Sequence, residues 1–309
     1  MKKFNLMNLS PSTQINLFGL KKYFLELSNL FDQNKFPNKI LLSGEKGSGK
    51  CTLAYHLINY ILSKEEEFAY DRKNFLINEE NKSYKLIQNK SNPNFNLIDI
   101  SEDKKFIDIN QIRDLISNMN KSSFNEKIRF VLIDNIEFLN KNSVNALLKI
   151  LEEPNQNVHF ILIHNNKKIL PTLSSRCLNF KISLTHKESV NIASSICGEN
   201  VLNKLNNELI HHYLTPGVFL NLIKFAEDYD VDLSKITLKE LITLIIEQNY
   251  YKKDNTIKFL LYDFIELFFR NNNFSNLYSY FLKKIDDCKR FNLDEESLLM
   301  EFESKVLNG

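Results

Sequence analysis

Short apolar runs recur along the first half of the chain and predict its strands. The runs are Lys39–Ser43, Asn96–Ile100, Arg129–Asp134, His159–Ile163 and Leu178–Ile182. Runs without polar alternation are typical of parallel strands that helices cover on both faces. Apolar residues at helical spacing between them predict helices over Thr52–Leu62, Asp108–Met119 and Asn142–Glu153, the last stopped by Pro154. This alternation indicates an α/β domain with a parallel sheet.

Only helical patterns follow residue 183. Short helices are predicted over His186–Ile196, Val201–Leu214 and Pro216–Asp228. The polar stretch Glu227–Ser234 is predicted to be a linker, and Leu238–Leu307 predicts about four amphipathic helices. Earlier in the chain, Glu65–Asn94 is polar and weakly periodic, and we interpret it as an irregular insertion or a frayed helical hairpin.

Composition excludes several classes of protein. The 309-residue chain is 43% hydrophobic and 25% charged, which is ordinary for a globular protein. Its formal net charge of +2 is too small for a nucleic-acid coat, so any DNA contact needs a local patch or a larger assembly. The 4 cysteines lack C-x-x-C spacing, so we expect no zinc site. Without a signal-peptide pattern or a span-length apolar run, we expect a cytoplasmic protein with no membrane contact.

A glycine-rich segment, GEKGSGKCT at Gly44–Thr52, joins the first predicted strand to the next predicted helix. It matches the phosphate-loop pattern G-x-x-x-x-G-K. Its small residues are Gly44, Gly47, Ser48 and Gly49. Glycines let consecutive backbone N–H groups turn toward phosphate oxygens, and a helix N-terminus adds partial positive charge. The segment therefore predicts a nucleotide-phosphate site; the alternative is a glycine-rich turn with no ligand.

Polar side chains at this loop and at a later strand end predict how ATP and Mg²⁺ would be held. Lys50 would reach the β- and γ-phosphates. The next position normally supplies a hydroxyl to Mg²⁺, but here it is Cys51, with Thr52 one residue later. Asp134 ends the run RFVLID, where P-loop NTPases place an Asp that binds Mg²⁺. Mg²⁺ bound with ATP is therefore predicted to contact Thr52 and Asp134; a simple strand-end cap is the alternative for Asp134.

Two stretches flank the fourth predicted strand: NALLKILEEP at Asn145–Pro154 and ILPTLSSRC at Ile169–Cys177. With SNPNFNLIDI and IDINQIRDLI before them, they resemble the clamp-loader subunits of bacterial DNA polymerase III, which are AAA+ proteins, over residues 15–230. The resemblance implies an α/β AAA+ P-loop domain with a five-stranded parallel sheet at 1–183. It also implies a small helical lid domain at 184–232 and an all-α C-terminal collar domain at 233–309, which oligomerises.

The same resemblance implies roles for single residues. Arg176 matches the arginine of the SRC motif, which reaches the ATP of a neighbouring subunit as an arginine finger in trans. The sensor position after the fourth strand corresponds to His164 or Asn165, and both stay open. Catalytic relatives have Glu after Asp134, but this chain has Asn135, whose amide cannot accept a proton.

Several departures bear on which subunit type the chain resembles. Cys51, Asn135 and the missing lid arginine, where Val218 stands, are tolerated best by the delta-prime type. That type would bind ATP weakly or not at all. It would work in a hetero-pentameric ring with ATPase subunits of the gamma/tau type and a delta subunit, and so act on the sliding clamp and primed DNA. One alternative is an active gamma/tau-like ATPase in which Glu137 compensates; another is a general AAA+ regulator or motor, which the two motifs disfavour.

Overall fold

A single parallel sheet organises the first part of the chain. The computed structural model describes residues 10–100, 106–120, 128–152, 157–165, 171–210, 213–253, 255–272, 275–291 and 294–308. Its strands are β1 Lys39–Ser43, β2 Phe95–Ile98, β3 Arg129–Ile133, β4 Val158–His164 and β5 Leu178–Lys181. They form a five-stranded sheet in the order β2-β3-β4-β1-β5, and every pairing is parallel. The strand predictions are confirmed, with ends that differ by one or two residues.

The same region contains seven helices among the described residues, the first before β1 and the others after it. They are α1 Lys21–Asp32, α2 Lys50–Leu62, α3 Lys82–Gln88, α4 Ile109–Asn120, α5 Lys141–Glu152, α6 Pro171–Ser174 and α7 His186–Cys197. The apolar stripes of α4 and α5 share one buried core with Leu41, Val131 and Phe160 of the sheet. The predicted stop after α5 is untested, because Glu153 and Pro154 lie outside the described residues.

Helix α1 was not predicted from the sequence. For Glu65–Asn94, two alternatives were predicted, an irregular insertion and a frayed helical hairpin. The insertion contains one short helix, α3, so the helical-hairpin alternative is wrong. The rest is irregular but well packed, since Tyr70 stacks on Phe24 of α1 with ring centroids 5.0 Å apart. Contacts between residues distant in sequence stabilise this region, so its conformation leaves no hydrophobic periodicity in the local sequence.

Helices also form the C-terminal part of the chain. They are α8 Asn207–Ile210, α9 Pro216–Tyr229, α10 Leu238–Glu247, α11 Tyr250–Lys253, α12 Asn255–Asn271, α13 Ser275–Phe291 and α14 Glu295–Phe302, with a π-helical turn at Glu303–Leu307. A capping box at Thr237 and Glu240 starts α10. The predicted helices in Leu238–Leu307 are present, although the short α11 adds one to the expected set.

Two predictions about the C-terminal part are wrong. Val201–Leu214 is not one helix: a 3₁₀ turn at Val201–Lys204 ends at Leu205, which is extended with φ −123° and ψ 139°. The break is stabilised because the backbone N–H of Asn206 donates to the carbonyl of Leu233 at 2.8 Å. The predicted linker Glu227–Ser234 is also too long, since α9 continues to Tyr229 before the chain turns.

Contacts divide the chain into two compact units. The first comprises Met1–Ile196 with Thr215–Gly217, and the second comprises Cys197–Leu214 with Val218–Gly309. The three-domain division at residues 183 and 232 stays a prediction. Among the helices of the described residues, none is long and apolar enough to cross a membrane.

A histidine on α2 is buried in the first unit as a neutral ring. His56 is fully buried, and its Nε2 lies 3.0 Å from the carbonyl oxygen of Gln14, which can only accept. Nε2 therefore carries the proton, and Nδ1 accepts from the Tyr70 hydroxyl at 2.9 Å. Burial lowers the pKa of His56 to about 4, against the opposing effect of the bond to Gln14.

This histidine predicts a stability loss in mild acid. Between the unfolded pKa near 6.5 and the folded value of about 4, the unfolded chain takes up a proton that the folded chain does not. The free energy of unfolding should fall as pH decreases through this window, by up to about 3 kcal/mol. Denaturant unfolding at several pH values measures the slope. His56→Gln should flatten it and His186→Gln, at an exposed site, should not; an unchanged slope in His56→Gln would contradict the assignment.

Candidate nucleotide-binding site

Parallel pairing brings the predicted site residues to one edge of the sheet. β1 lies between β4 and β5, with Ser43 beside His164 on one side and Lys181 on the other. The phosphate loop (Gly44–Thr52) leaves β1 at this edge, and β3 ends there at Ile133, directly before Asp134. Ligands of open parallel sheets bind outside the carboxyl ends of the strands, so the topology places these residues where a ligand is expected.

The phosphate loop has the backbone shape that its glycines permit. Gly47 and Gly49 have φ of +82° and +86°, in the region that side chains disfavour. α2 begins directly after Gly49, so its first turn points at the loop interior. Lys50 is 3% exposed, and its Nζ donates to the carbonyls of Gly44 and Glu45 at 2.9 and 2.6 Å. Burial lowers the pKa of Lys50 to about 8, although nearby carboxylates raise it.

The segment Thr215–Gly217, which belongs to the first unit, is hydrogen-bonded to the phosphate loop. The Thr215 hydroxyl donates to the carbonyl of Lys46 at 2.9 Å, and the Gly217 N–H donates to the carbonyl of Gly47 at 2.9 Å. A Cβ added at Gly217 would come within 2.7 Å of the Gly47 Cα. Val218, where the family resemblance implies a missing lid arginine, follows Gly217 directly.

The carboxylate expected to bind Mg²⁺ already has protein partners. Asp134 lies beside the Cys51 thiol, and its Oδ1 accepts the Asn135 N–H at 2.7 Å. Burial raises the pKa of Asp134 to about 6, and the charge of Asp99 adds to the effect. Burial, with Asp134 beside it, also raises the pKa of the Cys51 thiol. The thiol therefore stays protonated.

Asn135 is held by amide hydrogen bonds on both sides. Its Nδ2 donates to the Asp99 carboxylate at 2.8 Å, and its Oδ1 accepts from Asn165 Nδ2 at 2.8 Å. Asn165 Nδ2 also donates to Glu137 Oε1 at 3.0 Å. Asn165, one of the two sensor candidates, therefore joins this cluster, and the other, His164, is buried as the last residue of β4. Both stay candidates.

Arg176 lies just after α6, in the SSRC motif. Its side chain is 33% exposed, its Nη2 pairs with Glu152 at 2.8 Å, and its Nη1 donates to the carbonyl of Thr172 at 2.8 Å. Glu152 ends α5 within the LEEP motif, so this ion pair joins the two motifs that carried the resemblance. The outer ends of those motifs, at 153–154 and 169–170, lie outside the described residues.

The loop fits a phosphate better than it fits a magnesium ion. Lys50 is a buried cation whose described hydrogen-bond partners, carbonyl oxygens and the Ser48 hydroxyl, carry no charge. A phosphate would give it a negatively charged hydrogen-bond partner. Mg²⁺ requires hard oxygen ligands in octahedral geometry. Cys51 offers sulfur where the pattern places a hydroxyl, and its thiol also lies beside Asp134. The predicted contact of Mg²⁺ with Thr52 and Asp134 stays a prediction, and the position of the thiol argues against it.

Comparison with known proteins gives the family. The profile of the family described as "DNA polymerase III, delta subunit" matches residues 19–186 of the chain. The chain belongs to this family. It is therefore a clamp-loader protein of the AAA+ class, and both the resemblance and the fold class that it implied are confirmed.

Relatives of this clamp-loader protein carry more than one subunit name, including gamma, delta' and tau. DNA polymerase III subunit gamma of Buchnera aphidicola subsp. Schizaphis graminum is 33% identical over 81% of this chain and 68% of its own length. Subunit delta' of the same organism is 23% identical over 94% of this chain and 84% of its own length. A gamma subunit-related structure from Thermotoga maritima has a TM-score of 0.50 at 17% identity, over 90% of this chain and 97% of that one, and so shows the fold alone.

Three features of the clamp-loader site escaped sequence reasoning. Asp99 was not singled out, although it lies one residue before the end of the second apolar run, and Asp134 ends the third. The bonds of Asn135 to Asp99 and Asn165 join ends of three different strands, so only a sheet order could reveal them. The bond between Gly47 and Gly217 spans most of the first unit, and no spacing rule connects such distant glycines.

The contact between the two glycines predicts an unusual mutational effect. Glycine to alanine in a helix normally stabilises by up to about 1 kcal/mol. At Gly217, the added methyl would overlap the backbone of Gly47. We therefore expect Gly217→Ala to lower the free energy of unfolding by about 1–3 kcal/mol, measured by denaturant titration.

A second glycine gives a contrasting case, with backbone strain but no overlap. Gly198 has φ +74° and open space around an added Cβ, whereas Gly217 has no positive φ. Gly198→Ala should therefore cost about 1 kcal/mol through strain alone. A Gly217→Ala protein as stable as the parent would show that the two backbones can separate freely.

Proposed function

We propose that this clamp-loader protein acts as the delta-prime type of subunit in DNA polymerase III. In this role it helps to load the sliding clamp on primed DNA and donates Arg176 to the ATP site of a neighbouring ATPase subunit. The observation that carries the proposal is Asn135 at the position of the catalytic glutamate. Its amide bonds Asp99 on one side and Asn165 on the other, and an amide cannot take a proton from water.

The surroundings of Arg176 support its role as a finger. A partly exposed ion pair such as Arg176–Glu152 contributes at most about 1 kcal/mol, so a triphosphate can displace Glu152 readily. The guanidinium stays charged and grips two phosphate oxygens at once. A finger acts in another subunit's site, so it is useful even where the chain's own site lacks a base.

The proposed partners follow from the family. They are ATPase subunits of the gamma/tau type and a delta subunit in a hetero-pentameric ring, and through the ring the sliding clamp and primed DNA. A cytoplasmic location belongs to the same proposal. So does the division into a P-loop domain, a lid domain and a collar domain.

An active gamma/tau-like ATPase is the second candidate. It is favoured by the similarity to subunit gamma of Buchnera and by Glu137, whose charge acts on Lys50. However, Glu137 accepts hydrogen bonds from Asn165 and lies on the 3₁₀ turn after the strand end, not at the strand end itself. The two candidates differ in whether the chain turns over ATP.

Turnover by the purified chain tests the choice. We expect ATP hydrolysis near background, because no group at position 135 can act as a base. Lys50→Ala should leave that background unchanged, with circular dichroism to confirm that the variant is folded. Turnover comparable to that of a complete loader, abolished by Lys50→Ala, would establish the gamma/tau-like candidate instead.

Reconstitution of the ring tests the finger. Arg176→Ala should lower the DNA-stimulated ATPase of the neighbouring site by roughly 10³–10⁵-fold, the range known for arginine fingers. Arg176→Lys should rescue little, since an ammonium cannot grip two oxygens. Arg113→Ala, at an exposed position on α4, is the control and should have no effect. Unchanged hydrolysis and clamp loading with Arg176→Ala would show that Arg176 is not a finger.

A further inference from the structure

The side chain after Lys50 determines how the phosphate loop can treat a metal ion. Cys51 stands where the phosphate-loop pattern places the hydroxyl that binds Mg²⁺. A thiol is a soft ligand, whereas Mg²⁺ selects oxygens and keeps much of its water shell. The thiol also lies beside Asp134, the second side chain expected at the metal. One substitution therefore changes one expected ligand and the surroundings of the other.

Thr52 cannot replace Cys51 from its own position. Both residues lie in the first turn of α2, which begins at Lys50. Successive side chains of a helix point about 100° apart around its axis. The Thr52 hydroxyl therefore leaves the helix in another direction than the Cys51 thiol, which lies against Asp134. No oxygen ligand from α2 takes the place of the missing hydroxyl.

The groups that hold phosphate are unaffected by this change. Lys50 remains buried at the loop, and Gly47 and Gly49 keep the left-handed backbone that turns N–H groups inward. Their attraction for an anion requires no metal. The loop thus keeps its anion-binding parts and loses its cation-binding parts.

We infer that the phosphate loop binds nucleotide phosphates without Mg²⁺, and that its preferred ligand is a nucleoside diphosphate. Among the described residues of the loop, Lys50 is the buried cation, and a diphosphate brings less negative charge against it than a triphosphate. A triphosphate also holds its own Mg²⁺ more tightly, and that ion would meet the Cys51 thiol. The inference rests on the phosphate site of the proposed function and extends it to the class of ligand.

Equilibrium binding to the purified full-length chain tests this inference. The probes are fluorescent N-methylanthraniloyl-ADP and the matching ATP analogue, each titrated with excess Mg²⁺ and with excess EDTA. We expect the Kd of the ADP probe to change by less than about two-fold between the two conditions, under about 0.5 kcal/mol. The ATP probe should bind more weakly than the ADP probe when Mg²⁺ is present.

Variants at one position assign the effect to the thiol. Cys51→Ser restores the hydroxyl, so Mg²⁺ should tighten binding of the ATP probe by about ten-fold or more, near 1.4 kcal/mol. Cys51→Ala removes the thiol without adding oxygen and should stay independent of Mg²⁺. Lys50→Ala should abolish binding of both probes, which places the ligand at the loop.

Three outcomes would overturn the inference. They are a wild-type chain that needs Mg²⁺ for binding, a Cys51→Ser chain no more sensitive to Mg²⁺ than the parent, and no binding of either probe under any condition. None of these bears on Arg176, whose role is measured in the reconstituted ring. Failure of the ligand inference and failure of the finger are therefore separate results.

Discussion

The pairing of β1 between β4 and β5 is the constraint on which the first unit depends. Because all strands are parallel, their carboxyl ends meet at one edge, and the phosphate loop starts at the centre of that edge. β4 is buried over its whole length, so its register with β1 has no freedom to slip. Asp134 and Asn165 are consequently carried to the loop by strand ends and not by flexible connections.

The glycines of the loop are required by packing, whether or not a phosphate binds. A Cβ at Gly44 would come within 2.2 Å of the Ile182 carbonyl, and one at Gly47 would meet Thr215. A Cβ at Gly49 would meet the Leu20 side chain. A chain that no longer hydrolyses ATP would thus still need these glycines to close its fold. Side chains that serve hydrolysis alone, such as a glutamate at position 135, have no comparable packing role to keep them.

The strand predictions succeeded because each strand is a continuous apolar run that burial on both faces demands. The insertion at Glu65–Asn94 and the segment Val201–Leu214 failed for the opposite reason. In both, backbone and ring contacts with distant residues decide the conformation, as with Asn206 and Leu233, and no local period records them. Helix α1 was missed although its buried side chains include Phe24 and Leu27, whose partners lie elsewhere in the chain.

The sequence by itself determined the strand–helix alternation, the phosphate loop, the family and the departures at Cys51 and Asn135, since each is written in neighbouring residues. Only the tertiary structure decided how those departures act. The proximity of Cys51 to Asp134, the bonds of Asn135 to Asp99 and Asn165, and the contact of Gly47 with Gly217 join residues far apart in the chain. Hydrogen bonds depend on distance and angle in space, and the sheet order that sets them is a property of the folded chain.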